Sequence, residues 1–182
     1  MSRCAIGLSV HTGWAICVVA SGSLRAPRVH ARDRLQLLPD RERFVFHRAA
    51  EMDPAEAKRS VGRAADRAFA TAAAAIAQLA GRARAAADDL VACAIAARQT
   101  PMRQSLEEIL AAHARIHAAE GCFYRDVLRR AAEAHGVPVR IVAPDALGLD
   151  GAAALLAEAG RAAGRPWAKD QKLAALAAWT VL

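Results

Sequence analysis

The sequence predicts an α/β protein with a mixed five-stranded sheet, three antiparallel strands followed by two parallel ones, flanked by helices. Three observations carry that prediction. Two apolar, β-rich runs, Arg3 to Val10 and Trp14 to Ala20, are separated by His11-Thr12-Gly13, the pattern of a buried hairpin turned on a glycine. From Arg28 to Leu37 polar and apolar residues alternate, which is the period of a half-exposed antiparallel strand. Leu90 to Ala96 is an unbroken apolar run, as in a central parallel strand covered on both faces, and Val139 to Val142 supplies the last strand.

In chain order, Ser21-Gly22-Ser23 turns the second strand into the third. There Val29, Ala31, Leu35 and Leu37 are expected on one face and Arg28, His30, Arg32, Arg34 and Gln36 on the other, with Asp33 interrupting the apolar face. Arginines on such a strand either keep an edge from pairing with another sheet or present a basic ribbon to phosphates. Arg28, Arg32, Arg34, Arg41 and Arg43 are the candidates for the second role. Pro39 ends the strand, and Arg43 to His47 reads as a further short strand or a packed loop. Asp53-Pro54 joins an N-cap to a proline at the first helical position. Val61, Ala65, Ala68, Ala72, Ile76 and Leu79 then recur at helical spacing, with Gly81 as the expected stop.

Asp88-Asp89 lead into the central strand and Thr100-Pro101 interrupt the chain after it. Ser105 and Glu108 have the spacing of a capping box. The long helical segment they open runs to about His135, with Gly121 as a point of bending and Gly136-Val137-Pro138 as its end. Pro144 closes the last strand. Two shorter helices follow, near Gly151 to Ala163 and from Pro166 onward, and Trp167 and Trp179 are expected to anchor the second to the core.

At 182 residues the chain is expected to form a single domain, 1–182. Hydrophobic residues make up 55% but aromatics only 4%, so closely packed alanine-rich helices against a sheet are expected instead of bulky aromatic clusters. Cys4, Cys17, Cys93 and Cys122 are far apart, with no CxxC pair. That spacing excludes a zinc knuckle or a disulfide framework and points to a reduced, cytoplasmic setting. The polar residues Ser9, His11 and Thr12 break any leader-like apolar run, and none approaches the ~18 residues of a membrane span. The net charge of +7 attracts phosphate backbones, although Ala- and Arg-rich composition alone also produces such a charge.

Ile6-Gly7-Leu8-Ser9 followed by Thr12-Gly13-Trp14-Ala15-Ile16 resembles the opening of the RuvC-type Holliday-junction resolvases, members of the ribonuclease-H-like superfamily. Ala131 to Val139, then Ala143-Pro144, is similar to that family's long helix, following strand and proline, and Lys169 to Lys172 resembles its C-terminal region. The resemblance implies a ribonuclease-H-like fold, a nucleic acid partner and a homodimer. It also implies acidic residues holding two magnesium ions to cut a phosphodiester. Carried over position by position, the first aspartate falls on Ser9, the glutamate of the central strand near Ala96 or Ala97, and the C-terminal aspartate on Asp170 or Leu173.

The candidate site residues are therefore Ser9, His11 and Asp170, as positional equivalents, with Glu107, Glu108 and Glu120 on the bordering helix. No metal ligand or cofactor is expected, with Mg²⁺ or Mn²⁺ entering only in an active nuclease. A softer metal at His11 and Asp170 is the rebuilt form of such a site. His113, His117 and Glu120 share one helical face at a spacing that can bind zinc. They lack the glutamate of HExxH and read as a solvated or partly packed face. The hairpin also looks like the phosphate loop of the actin-like kinases and ATPases, but those need two domains and an aspartate on this strand. No Gly-x-Ser-x-Gly elbow marks a hydrolase. The expected function is binding of structured nucleic acid by a RuvC-like protein that has lost catalysis. The alternatives are a protein-interaction module on the same fold and a metal-dependent nuclease rebuilt around His11 and Asp170.

Overall fold

The opening hairpin forms as Gly13 requires. Strands β1 (Arg3–His11) and β2 (Trp14–Ser23) pair antiparallel, and Gly13 takes a φ of 88°, a conformation that side chains disfavour. The computed structural model describes residues 2–85, 89–98 and 102–182, so the expectations on Asp88, Thr100 and Pro101 lie outside the described residues. Strand β3 (Ala26–Gln36) pairs antiparallel with β2, and β4 (Asp89–Ala96) and β5 (Val139–Val142) run parallel to β1. The order β3-β2-β1-β4-β5 is the mixed five-stranded sheet that the sequence predicts.

Helices cover both faces. Against one lie α1 (Val45–Ala49), α2 (Pro54–Ala85), α3 (Leu106–Leu110) and α4 (His113–Ala134), packed on Ile6, Leu8, Cys17 and Ile95. Against the other lie α5 (Ala153–Ala163) and α6 (Lys169–Trp179), after a short 3-10 turn at Pro144–Leu147. The capping box opens α3 as expected: Ser105 Oγ accepts from Glu108 N–H, and the Glu108 carboxylate accepts from Ser105 N–H. Those bonds hold the Glu108 carboxyl below its ordinary range. Trp179 donates its indole N–H to Ser21 O and closes α6 onto β2.

Several boundaries differ from expectation. Arg43 to His47 is neither strand nor loop throughout: Val45 begins α1, because the buried Glu120 carboxylate of α4 accepts its first amides. Helix α2 passes through Gly81 to Ala85, burying Ala80 and Ala83, since an interior glycine costs a helix only ~1 kcal/mol. The long helical segment is divided at Ala111-Ala112, and Gly121 lies inside the continuous α4. Trp167 precedes α6 and donates instead to Leu156 O of α5.

The alternation in β3 is also broken. Val19 faces Ala31 while its neighbour Ala20 faces Val29, so His30 is an extra residue in the strand. Val29 therefore packs with α6, whereas Ala31 and Leu35 pack on the opposite layer. Asp33 faces α2, where it meets Arg82 at 3.2 Å.

The alanine-rich composition has its reason at Gly7. Ala5, Gly7 and Ser9 point from β1 toward α6, and a Cβ on Gly7 would collide with the Ala174 carbonyl. Gly7→Ala should accordingly cost ~3 kcal/mol or more, because a backbone carbonyl cannot turn aside. Gly62, inside α2 with no atom near its Cβ position, is the control: Gly62→Ala should stabilise by ~0.5–1 kcal/mol. Thermal melts followed by circular dichroism separate the two.

Cys4, Cys17, Cys93 and Cys122 are all buried. Burial pushes the Cys93 thiol up to about 12 and raises Cys17 well above its usual range. In the unfolded chain both ionise from about pH 8.5, so the native state loses stability as pH rises beyond that point. The expected slope is ~1.4 kcal/mol per pH unit for each thiol. Chemical denaturation between pH 8 and 10.5 reads it, and Cys93→Ala should remove about half of it, leaving the share of Cys17.

Candidate functional site at the carboxyl end of the sheet

The register places Ser9 of β1 opposite Ala96 of β4, and Ala96 opposite Val142 of β5, so three parallel strands end in a row. Ser9 and His11 project from β1 toward α6, whose first turn carries Asp170. Ser9 Oγ donates to Asp170 Oδ1 at 3.2 Å, and His11 Nε2 stands 3.0 Å from the same oxygen. The three residues singled out from the sequence thus meet across a separation of up to 161 positions. Ser9 is buried, while the His11 and Asp170 side chains are 37% and 30% exposed. The helix dipole favours the Asp170 carboxylate where it lies.

His11 is held on its other side by Trp14, with ring centroids 4.0 Å apart and planes 8° from parallel. The Arg34 guanidinium also lies over Trp14, 4.2 Å from the ring centroid. A cleft of about 850 Å³ opens beside Asp170, lined by Ser9, His11, Ala96, Asp150 and Lys169 among others. A second, of about 510 Å³, shares His11, Ala96 and Pro144 with it and extends to Arg98 and His117.

Both Ser9 and His11 engage one carboxylate oxygen, so Asp170 is the hub. A nucleophilic serine needs the imidazole between hydroxyl and carboxylate, and that order is not present in these contacts. A pair of magnesium ions needs several hard carboxylate ligands. Asp170 is already bonded to a hydroxyl and approached by an imidazole, Ala96 beside Ser9 offers no oxygen, and Asp145 is drawn to Arg98 at 2.7 Å. The ends of β1 and β4 therefore supply no carboxylate beside Asp170, and the other acids of the cleft are Asp145 and Asp150.

The five candidate arginines do not form one ribbon. Arg32 donates to the carbonyls of Gly164 and Pro166 and so fastens β3 to the segment before α6. Arg34 is stacked on Trp14, Arg43 lies 3.5 Å from Asp40, and Arg41 lies 3.6 Å from Glu42. The bulge at His30 turns Arg28, by register, to the opposite face from Arg32 and Arg34.

The structure adds a residue that the sequence reading passed over, His47. Glu120, buried to 3% exposure, accepts from the backbone N–H groups of Val45, Phe46 and His47 and lies 3.2 Å from His47 Nδ1. The neighbouring Tyr124 donates its hydroxyl to Arg43 O, and burial, reinforced by Glu120, raises its phenol well above the ordinary value. Glu107 and Glu108 lie on α3, and Glu120 serves α1 from α4, so none of the three reaches Asp170 through a described bond.

Sheet order and helix layers define a ribonuclease-H-like fold of the RuvC type. Among solved structures, the chain is similar to RuvC of Thermus thermophilus in complex with a Holliday junction substrate. The identity is 14% and the TM-score 0.59, covering 98% of this chain and 91% of that one. A second Thermus thermophilus RuvC structure matches with 14% identity and a TM-score of 0.57, over 98% and 92% of the two chains. No family model and no curated protein matches. Among the described residues no helix is long and apolar enough to cross a membrane.

The Glu120 contacts lead to a direct expectation. Glu120→Ala leaves three amides at the start of α1 without their acceptor, and should lower stability by ~3 kcal/mol. Urea denaturation of the variant beside the parent measures the loss.

Proposed function

We propose that the chain binds structured nucleic acid along the clefts at the carboxyl end of the sheet and does not cut it by two-metal chemistry. The observation that carries this reading is the register of Ser9 with Ala96, neither of them a carboxylate, beside an Asp170 already bonded to Ser9. The fold is that of a protein whose structure was solved with a Holliday junction substrate, and the net charge of +7 favours a polyanion. Lys169 lines the first cleft and Arg98 the second, while Arg34 lies over the indole that supports His11. On this reading the edge-strand arginines are mainly fastenings, and the cleft cations are the phosphate contacts.

A fluorescent four-way junction and a plain duplex, titrated over a salt series with magnesium present, test the reading. Tighter binding to the junction is expected, with affinity falling steeply as salt rises. Lys169→Ala and Arg98→Ala should each shallow the logarithmic salt slope by ~1 without abolishing junction preference. No cleavage is expected with magnesium. Weak, unselective binding to both nucleic acids would overturn the binding half in favour of a protein-interaction module. Metal-dependent cleavage lost in Asp170→Asn would overturn the other half, in favour of a site rebuilt on the 3.0 Å His11–Asp170 pair. Sedimentation in the same buffers reports whether one chain or two are bound.

A further inference from the structure

We propose that His47, His113 and His117 bind a divalent transition metal ion of the zinc class, at a site separate from the one centred on Asp170. One nitrogen from each imidazole lies within 4.8 Å of the others. His113 and His117 are one turn apart at the start of α4, the i, i+4 spacing that presents two imidazoles to one ion. Their Nε2 atoms are 2.9 Å apart. Two nitrogens on one tetrahedral zinc, with bonds of ~2.0–2.1 Å, are ~3.3 Å apart, so the pair needs only a small side-chain adjustment.

His47 arrives from α1 and completes the group. Its ring centroid is 5.4 Å from that of His113 and 4.7 Å from that of His117. The carboxylate of Glu120, 3.2 Å from His47 Nδ1, accepts the proton there and leaves Nε2 with its lone pair free. A carboxylate behind a ligating imidazole is the usual means of fixing its tautomer and orientation. Glu120 cannot turn away easily, because it is buried and bonded to the α1 amides. The third ligand is thus held in place by the same carboxylate that caps its helix.

Three neutral imidazoles suit zinc, copper, nickel or cobalt much better than magnesium or calcium, which take oxygen ligands. His113 and His117 are exposed, so the fourth position opens to water, and His117 also borders the smaller cleft. The four cysteines are buried, and none belongs to the group. The site does not depend on nucleic acid binding, and its test uses none.

Tag-free full-length chain is titrated with Zn²⁺ against a chromophoric chelator, and with Co²⁺ followed by visible absorption. One ion per chain is expected, with a tetrahedral cobalt spectrum that lacks thiolate charge-transfer bands. His113→Ala and His117→Ala, both surface changes checked for folding by circular dichroism, should each weaken binding by ~100-fold or more. His135→Ala, just beyond α4, should bind as the parent does. Parent affinity no tighter than that of a His47→Ala/His113→Ala/His117→Ala variant would overturn the assignment, as would a cobalt spectrum showing thiolate ligands.

Discussion

The approach of α6 to β1 at Gly7 is the constraint on which the rest of the structure depends. The Ala174 carbonyl occupies the space where any other residue would carry its Cβ. Around that point both surfaces are cut down to match, with Ala5 and Ala94 from the sheet and Ala174, Ala175, Ala177 and Ala178 from the helix, all buried. Small residues let backbone meet backbone, and the many short dispersion contacts replace what larger side chains would supply. The same closeness gives the site its geometry. Asp170 lies in the first turn of the helix that Gly7 admits, and Ser9 and His11 are the next two positions on the strand that face it. A helix held farther from the sheet would separate the carboxylate from both.

The opposite face is built by a different rule. Ile6, Leu8 and Ile95 meet Tyr124 and Leu128 of α4, so larger side chains fill a wider gap. Helix α4 also has a polar stripe, His113, His117, Glu120 and Tyr124, which receives the chain between Arg43 and His47. A buried carboxylate is costly unless its lone pairs are filled. Glu120 meets that condition by capping a helix of five residues that has no side-chain cap of its own. The two elements therefore depend on each other: α1 lacks acceptors of its own, and Glu120 lacks donors on α4.

What was legible in the sequence follows from how local each signal is. The hairpin, β4, β5 and the capping box at Ser105 are written in residues that touch their own neighbours, and all form as expected. The bulge at His30 has no glycine or proline to mark it, so the period of two runs on through it in the sequence and puts the arginines on one face. The start of α1 was hidden because its cap lies more than seventy positions away. The meeting of Ser9, His11 and Asp170 was legible only through the resemblance to RuvC-type proteins, since nothing in spacing joins residues 161 apart. His47 had no such support. Its partners His113 and His117 were visible as a pair on one helix, and the third imidazole arrives by tertiary structure alone.

Charge gives the proposed reading its internal logic. A cluster of carboxylates repels a phosphate backbone until cations neutralise it, so a two-metal site binds its substrate and its ions together. With Ser9 and Ala96 on the neighbouring strands, Asp170 bonds the Ser9 hydroxyl and lies beside the His11 imidazole, while Asp145 and Asp150 line the same cleft with Lys169. The chain as a whole is positive by seven charges. Under the proposed function a phosphate can approach without waiting for a metal. Serine and alanine at the ends of β1 and β4 offer magnesium no carboxylate and a phosphate no repulsion. On that proposal, binding without cutting follows from the same lack of carboxylates at the ends of β1 and β4.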